Sequence, residues 1–283
     1  MTEHSRIDAH HHVWDLGVRD QPWTAAIPAL RRSFSFADLR PQLAQAGIGA
    51  TVLVQTITVA EETPEFLELA ESAPEILGVV GWVDLTSADV ADRLDTLRAG
   101  RGGRWLAGIR HQVQGESDPE WLLRSDVLQG LRAVARAGLV YDLLVTPAQL
   151  PAAIGAVRLV PELRFVLDHG GKPPIAEGAI EPWRSRITGL AQLPNVAVKL
   201  SGLLTEAQPD WTPATIQPYA DHLISEFGAS RTMFGSDWPV CTLRAEYSDV
   251  VAVTDDLLAG CTPAERGAVF GATARSWYRL GEN

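Results

Sequence analysis

Three consecutive histidines, His10, His11 and His12, follow a short apolar run near the beginning of the sequence. Because residues in a β-strand alternate between its two faces, His10 and His12 are predicted to share one face and His11 to point to the other. Asp8 has the same parity as this pair and is predicted to brace it from below. Two imidazoles on one face just past a strand can bind a metal ion or hold a polar group of a substrate.

Other polar side chains stand where later apolar segments end. They are Gln55, Arg110, His111, Asp168, His169, Lys199 and Asp237. One such histidine alone is typical of a surface or core position. Five of the seven histidines, including the three that end the first apolar segment, occur at segment ends. The sequence therefore predicts that these ends converge on one site.

The residue types suit hydrolysis by an activated water. His10, His12, His169 and Asp237 are nitrogen and oxygen ligands appropriate to one Zn²⁺ or Mn²⁺ ion with an open water position. A carboxylate beside such a water can accept its proton, and Asp237 is the candidate for this base. A helix N-cap is the alternative role for Asp237, but Trp238 and the proline after it favour a loop of defined shape.

Arg110 and His111 are positioned to polarise a carbonyl or to hold a hydroxyl or carboxylate group. An ion pair at the rim is the alternative for Arg110. Lys199 either forms a buried ion pair, with Glu206 or Asp168 as partner, or binds a substrate oxygen. No G-x-S-x-G motif is present and neither cysteine ends an apolar segment beside a base, which argues against a covalent nucleophile.

The elements that must carry these residues are eight short apolar segments alternating with amphipathic ones. After the first, at the histidines, the predicted strands are residues 49–55, 77–83, 106–110, 139–145, 163–168, 196–200 and 231–234. This alternation predicts a single (β/α)8 TIM barrel domain over residues 1–283, in which strand ends meet at one mouth. An open doubly wound sheet is the alternative, but no G-x-G-x-x-G follows the first strand.

Composition narrows the partners and the compartment. The 283-residue chain has a net charge of −11, which disfavours nucleic acid or an anionic membrane as the main partner. No secretory signal or membrane-spanning run is visible. The two cysteines, Cys241 and Cys261, form no disulfide framework, so we expect a cytoplasmic protein. The oligomeric state is open, with a homo-oligomer among the options.

Six stretches in order resemble the amidohydrolase superfamily, in particular its amidohydrolase-2 branch of sugar lactonases of the L-fuconolactonase and L-rhamnonolactonase type. They are IDAHHHVWD, GIRHQVQGESDPEWLLR, YDLLVTPAQL, FVLDHGGKPPI, VAVKLSGLLTEA and MFGSDWPVC, and the resemblance covers residues 6–278. It implies a (β/α)8 fold and hydrolysis of a lactone to a hydroxy acid. It also implies that His10, His12 and His169 match the site histidines, that Asp237 is the general base, and that His111 binds substrate or acts in acid–base chemistry.

One departure from the superfamily concerns the metal. Many members bridge two metal ions with a carboxylated lysine after the fourth strand, where this chain has Arg110 and His111. We therefore expect one divalent metal ion, or none. Without metal, the histidines would polarise the carbonyl directly, which suits a lactone better than an amide.

The predicted catalytic residues are thus Asp237, His111 and His169. The predicted substrate-binding side chains, with hydroxyl groups read from loops near Trp14, Trp23 and Gln55, are Trp14, Gln55, Arg110, His111, Lys199 and Trp238. A sugar lactone is the leading substrate, since a dicarboxylate lactone would need more arginines at the strand ends. A decarboxylase of the same branch and a barrel that binds a ligand or metal without catalysis are the remaining alternatives.

Overall fold

Eight parallel strands pair in chain order in the computed structural model of this protein, which describes residues 6–281. The strands are β1 Arg6–His11, β2 Ile48–Val54, β3 Ile76–Gly81, β4 Leu106–His111, β5 Val140–Leu143, β6 Arg164–Leu167, β7 Val196–Leu200 and β8 Thr232–Phe234. The segment after β8 returns to β1, where the His12 backbone N–H donates to the Trp238 carbonyl (2.7 Å). The predicted (β/α)8 barrel is confirmed, and the open sheet is wrong.

Helices cover the outside of the barrel between successive strands. They are α1 Phe36–Gln45, α2 Glu62–Ser72, α3 Val90–Ala99, α4 Ser125–Arg136, α5 Leu150–Leu159, α6 Trp183–Ala191, α7 Pro213–Phe227 and α8 Tyr247–Leu257, followed by α9 Pro263–Gly267 and α10 Thr273–Tyr278. Their apolar faces and the outward side chains of the strands form the larger of two core clusters. Among the described helices, none is long and apolar enough to cross a lipid bilayer.

The barrel interior is filled by small and β-branched side chains from nearly every strand, as parallel barrels require. They include Ala9, Ala50, Val52, Val80, Val140, Val166 and Ala197, and the longer Met233 packs among them. Tyr278 and Leu280, from the C-terminal segment, pack against this cluster and close the amino-terminal end. A layer of buried charged side chains lies above the apolar layer, toward the carboxyl ends of the strands.

Contrary to the prediction, Asp8 does not lie on the face of the histidine pair, because β1 contains a β-bulge; it braces the pair through the backbone instead, where its Oδ1 accepts from the N–H of His10 (3.1 Å). Asp8 pairs with Thr51 and His11 pairs with Leu53, so β1 has one residue more than β2 over this interval. The extra residue reverses which face of the strand the residues on either side of the bulge point to. Asp8 therefore points out of the barrel, where its carboxylate accepts hydrogen bonds from the Ser236 hydroxyl (2.6 Å) and the Tyr247 hydroxyl (3.1 Å).

Two predicted strands extend too far at their carboxyl ends. The prediction for β3 ran to residue 83, but the backbone N–H of Trp82 donates to the Thr63 hydroxyl (2.8 Å) rather than to a strand. The prediction for β5 ran to residue 145, but the Leu144 carbonyl accepts from the backbone N–H of Gln114 (3.0 Å). In both places the backbone leaves the sheet to form the rim of the barrel.

Candidate active site

A cavity of about 350 Å³ opens at the carboxyl ends of the strands. Its size lies within the range of small-molecule sites. Its wall contains His12, Trp23, Ile27, Thr56, Arg110, Gln112, Gln114, Gly115, Leu144, His169, Lys172, Asp237 and Val240. Three of the four predicted metal ligands, His12, His169 and Asp237, are therefore on the wall, and the fourth, His10, lies directly beneath.

The four predicted ligands form one buried cluster. The Nε2 atoms of His10 and His12 are 3.1 Å apart. Oδ1 of Asp237 lies 3.4 Å from Nε2 of His12, 3.7 Å from Nε2 of His10 and 3.9 Å from Nε2 of His169. All four side chains are at most 7% exposed. Residues from β1 and from the loops after β6 and β8 thus meet at one point.

The hydrogen bonds of the histidines indicate which ring nitrogens face the cluster as acceptors. Nδ1 of His12 lies 2.8 Å from the backbone carbonyl oxygen of Val54, which can only accept, so Nδ1 carries the hydrogen. Nε2 of His12 therefore presents a lone pair to Asp237. This is the tautomer that a metal-binding histidine adopts when a carbonyl holds its other nitrogen.

His10 lies between two cations and an acid. Its Nδ1 is 3.3 Å from Oδ1 of Asp168 and 3.1 Å from Nζ of Lys199. Its Nε2 is 3.2 Å from Nη1 of Arg110. Burial, followed by the nearby Lys199 charge, lowers the pKa of His10 well below its usual value, so the ring is neutral at pH 7.

The charge states of Asp237 and His169 suit a site that accepts a proton. Burial alone would raise the pKa of Asp237, but His169 and the other neighbouring histidines outweigh it and hold this pKa below its ordinary value. Burial lowers the pKa of His169 to about 4. At neutral pH, Asp237 is therefore ionised and His169 is uncharged.

The backbone holds two of these residues in a conformation that non-glycine residues rarely adopt. His169 and Asp237 have φ angles of 54° and 59°. Such left-handed residues outside glycine are uncommon and cluster at functional sites. Two glycines permit the close approach: a Cβ at Gly202 would lie 2.6 Å from Nδ1 of His169, and one at Gly235 would lie 2.7 Å from Cβ of His10.

Lys199 is buried under the cluster and does not reach the cavity. Its ammonium is fully buried and lies 2.6 Å from Oδ2 of Asp142 and 2.9 Å from Oδ1 of Asp168. Tyr278 donates its hydroxyl to Asp142 (2.8 Å), linking this ion pair to α10. The prediction that Lys199 binds substrate is therefore replaced by its alternative, a buried ion pair with Asp168. Glu206, the other partner considered, pairs instead with Lys172.

Gln55 holds Arg110 rather than a substrate. Its side-chain Oε1 accepts from Nε of Arg110 (2.9 Å), its backbone carbonyl accepts from Nη2 of Arg110, and its Nε2 donates to the Ile57 carbonyl (2.9 Å). Gln55 is fully buried. Arg110 also pairs with Asp168 (2.9 Å), so it is an anchored cation in the cavity wall and not a free rim residue.

His111 lies outside the cavity wall, because adjacent strand residues face opposite sides and Arg110 takes the inner one. Its Nδ1 accepts from the indole N–H of Trp82 (3.1 Å), and its Nε2 lies 2.8 Å from Oε1 of Glu116. Its ring stacks on Trp121 with centroids 4.3 Å apart. Both ring nitrogens therefore have protein partners, and this geometry does not support substrate contact or acid–base chemistry by His111.

Trp14 and Trp238 are also absent from the cavity wall. Trp14 packs edge-on against Trp23 and Phe34 and donates its indole N–H to the Arg32 carbonyl (2.6 Å). It borders a separate cavity of about 500 Å³ beside α2, which contains none of the clustered histidines. Trp238 also packs edge-on against Phe34, with ring centroids 5.6 Å apart, and is 2% exposed. Both tryptophans shape the loop that places Trp23 on the wall.

Four polar wall residues were not predicted: Thr56, Gln112, Gln114 and Lys172. Gln112 stands two residues after Arg110, so the alternation of the strand could have indicated it. Lys172 has a φ of 53° and follows two glycines with positive φ, and no strand or helix periodicity predicts the direction of such a residue. Its ammonium pairs with Glu206 (2.8 Å).

Within the part of the chain that the structure describes, two groups of side chains could hold a metal ion: His10, His12 and Asp237, or His10, Asp168 and His169. In the second group Asp168 is already paired with Arg110 and Lys199. The first group places the bare Nε2 of His12 and an ionised carboxylate together, and its distances of 3.1–3.7 Å suit ligands about 2 Å from one ion. The chemistry of this donor set therefore fits one divalent ion, with Arg110 beside it.

Comparison with known proteins extends over nearly the whole chain. The amidohydrolase family profile matches residues 7–280. An L-fucono-1,5-lactonase of Burkholderia ambifaria is 39% identical, covering 97% of this chain and 96% of that protein. A second L-fucono-1,5-lactonase, of Burkholderia multivorans, is 37% identical over 98% of this chain and 97% of its own. The crystal structure of a Burkholderia multivorans amidohydrolase with bound zinc superposes with a TM-score of 0.92 at 36% identity, covering 98% and 99% of the two chains.

Proposed function

The chain belongs to the amidohydrolase family, and we propose that it hydrolyses the lactone of a sugar acid to the open hydroxy acid. The observation that carries this proposal is the near full-length similarity to two L-fucono-1,5-lactonases. The site supports it, because an ionised Asp237 and the neutral ring of His169 meet at the wall of a cavity of suitable size.

Asp237 acts as the general base in this proposal. Its carboxylate accepts a proton from the attacking water while the water oxygen bonds to the lactone carbonyl carbon. The ring carbon–oxygen bond then breaks, and Asp237 returns the proton to the departing ring oxygen. The product is a hydroxy acid, which releases one proton per turnover when it ionises at neutral pH.

His10, His12 and Asp237 hold the divalent ion in this proposal, and Nε2 of His169 lies 3.9 Å from Oδ1 of Asp237. When bound, the ion supplies Lewis-acid polarisation to the reacting carbonyl. Nε2 of His12 carries a lone pair, so His12 does not polarise a carbonyl by donating a hydrogen bond unless it is protonated. This tautomer favours the metal-assisted alternative over direct polarisation by the histidines.

The remaining wall residues suit a neutral polyol. Trp23 offers an indole surface, while Gln112, Gln114 and Thr56 offer amide and hydroxyl groups. Among residues 6–281, the wall includes two lysine or arginine side chains, Arg110 and Lys172, and Arg110 is held by Gln55 and Asp168. A dicarboxylate lactone would need two available cations, so this wall supports the sugar substrate better.

A panel of aldonolactones and one dicarboxylate lactone, followed with a pH indicator, tests this function. We expect release of one proton per turnover from a subset of the aldonolactones and no turnover of the dicarboxylate. Hydrolysis of the dicarboxylate alone, or release of carbon dioxide from an aromatic acid, would contradict the proposal. The cytoplasmic location, the extent of the domain over residues 1–283 and a homo-oligomeric state stay predictions.

A further inference from the structure

Arg110 occupies an unusual place for a residue beside a metal-binding cluster. Its Nη1 lies 3.2 Å from Nε2 of His10, a distance similar to the 3.1 Å between the Nε2 atoms of His10 and His12. Arg110 is 2% exposed, and its guanidinium has five N–H donors and no acceptor. A hydrogen-bond donor therefore faces the same ring nitrogen that the candidate metal group would use.

An imidazole nitrogen has a single in-plane lone pair, and it is present only when that nitrogen carries no hydrogen. A neutral His10 that donates from Nδ1 to Asp168 has a bare Nε2, which accepts the N–H of Arg110. The opposite tautomer places a hydrogen on Nε2, where it would face the Arg110 N–H and could bind no metal. The contact with Arg110 fits the first tautomer, whereas the 3.1 Å distances from Nδ1 to Nζ of Lys199 and from Nε2 to Nε2 of His12 fit the second, so each tautomer has partners around His10.

We propose that Arg110 and a divalent metal ion compete for the lone pair on Nε2 of His10. Metal binding through His10 then requires Arg110 to release this nitrogen, and the protein without metal keeps Arg110 as the cation of the site. The metal affinity is consequently lower than that of the same ligands without the arginine.

The contacts of Arg110 make such an exchange feasible without unfolding. Nε and Nη2 are held by Gln55, and Nη1 donates to Asp168 (2.9 Å), so only the second hydrogen of Nη1 has to be redirected. Arg110 also borders the cavity, which gives its guanidinium space on one side. Asp168 remains paired with Lys199 throughout (2.9 Å).

Zinc affinity of the metal-free protein tests the competition without using activity. Wild type, Arg110→Met and the control Arg40→Met would be titrated with Zn²⁺ against a chromophoric chelator. Arg40 pairs with Glu75 on the exposed surface, so its loss changes the net charge equally without touching His10. We expect Arg110→Met to bind zinc at least about tenfold more tightly than wild type and Arg40→Met to match wild type within about twofold. Equal or weaker binding by folded Arg110→Met would overturn the proposal.

Crystal structures of the wild type with and without zinc provide a second test that needs no variant. We expect the Arg110–His10 contact in the metal-free protein and its loss when zinc is bound to His10. This test also distinguishes competition for the His10 nitrogen from charge repulsion between Arg110 and the metal ion, because repulsion alone would leave the contact in place. Zinc bound to Nε2 of His10 with the arginine contact intact would overturn the proposal. Because both tests measure binding, they are independent of whether the substrate is a sugar lactone.

Discussion

Asp237 donates its backbone N–H to the backbone carbonyl of His10 (2.8 Å), which joins the loop after β8 to the end of β1. A second bond in this junction between β1 and the segment after β8, which we call the seam, runs from the His12 N–H to the Trp238 carbonyl (2.7 Å). Three of the four residues in these two bonds, His10, His12 and Asp237, belong to the candidate site. Closing the barrel and assembling the site are therefore one structural event, so changes at the seam should affect activity as well as stability.

Gly235 tests how closely the seam positions His10. An alanine Cβ at this position would lie 2.7 Å from Cβ of His10 and 3.1 Å from Cβ of Ser201, whose hydroxyl contacts Nδ1 of His169 (2.9 Å). We expect Gly235→Ala to lower kcat/KM by about 100-fold, since small displacements of catalytic groups have effects of this order. Steady-state kinetics on the best lactone of the panel would measure it.

Gly189→Ala is the matched control for this variant. Gly189 lies in α6, and its Cβ would meet only Ile154 at an ordinary 3.7 Å. Its kinetics should equal those of wild type, with stability unchanged or slightly higher because alanine favours helices over glycine. If Gly235→Ala were as active as Gly189→Ala, the close packing of the seam on His10 would not matter for catalysis.

Lys199→Met should strongly destabilise the protein. The substitution leaves Asp142 and Asp168 buried without the ammonium that lies between them. Breaking a buried ion pair from one side typically costs about 3–5 kcal/mol. Chemical denaturation with urea would measure the change in the free energy of unfolding, and a loss below about 1 kcal/mol would show that the buried cluster contributes little to stability.

Lys172→Met should affect substrate binding instead. The chain contains two lysines, and Lys172 is the one on the cavity wall, where a quarter of its side chain is exposed and Glu206 takes one of its three N–H donors. Losing a partly exposed ion pair of this kind costs about 0–1 kcal/mol of stability. A lost charged hydrogen bond to substrate corresponds to a rise in KM of about tenfold. An unchanged KM, with Lys172→Arg as the charge-conserving control, would remove Lys172 from the binding site.

The pH profile should show an acid limb far below the usual range of histidine. Burial lowers the pKa of His169 to about 4, so its ring is neutral above that pH and becomes charged as the pH falls through it. We therefore expect kcat/KM to be level from about pH 8 to about pH 5.5 and to fall toward pH 4. Rates would be corrected for lactone hydrolysis in enzyme-free buffer. A limb near 6.5, the value of an unperturbed histidine, would contradict the burial of His169 as the controlling factor.

Much of the fold could be predicted because alternating apolar strands and helices leave a strong pattern, and strand ends in a barrel converge by geometry. The cluster of His10, His12, His169 and Asp237 was predicted for that reason. Asp8 was misplaced because a β-bulge reverses the alternation without any sequence mark that distinguishes it.

Several side chains predicted to bind substrate lie away from the cavity wall, because proximity to a strand end does not determine which side a residue faces. Gln55 and Lys199 point inward but lie in the charged layer, and His111 points outward to Trp121. Lys172 was missed because its direction depends on consecutive left-handed residues in a loop. Such positions follow from tertiary packing and hydrogen bonding, which periodicity does not encode.

The most direct test of the central claim compares wild type with Asp237→Asn on the aldonolactone panel. Asparagine keeps the shape of the side chain and cannot accept the proton of the attacking water, so we predict a loss of kcat of at least about 1,000-fold. Asp221→Asn, an exposed change in α7, is the control and should retain full activity. Thermal unfolding would verify that both variants are folded. Turnover by folded Asp237→Asn near the wild-type rate would contradict the account of Asp237 as the base.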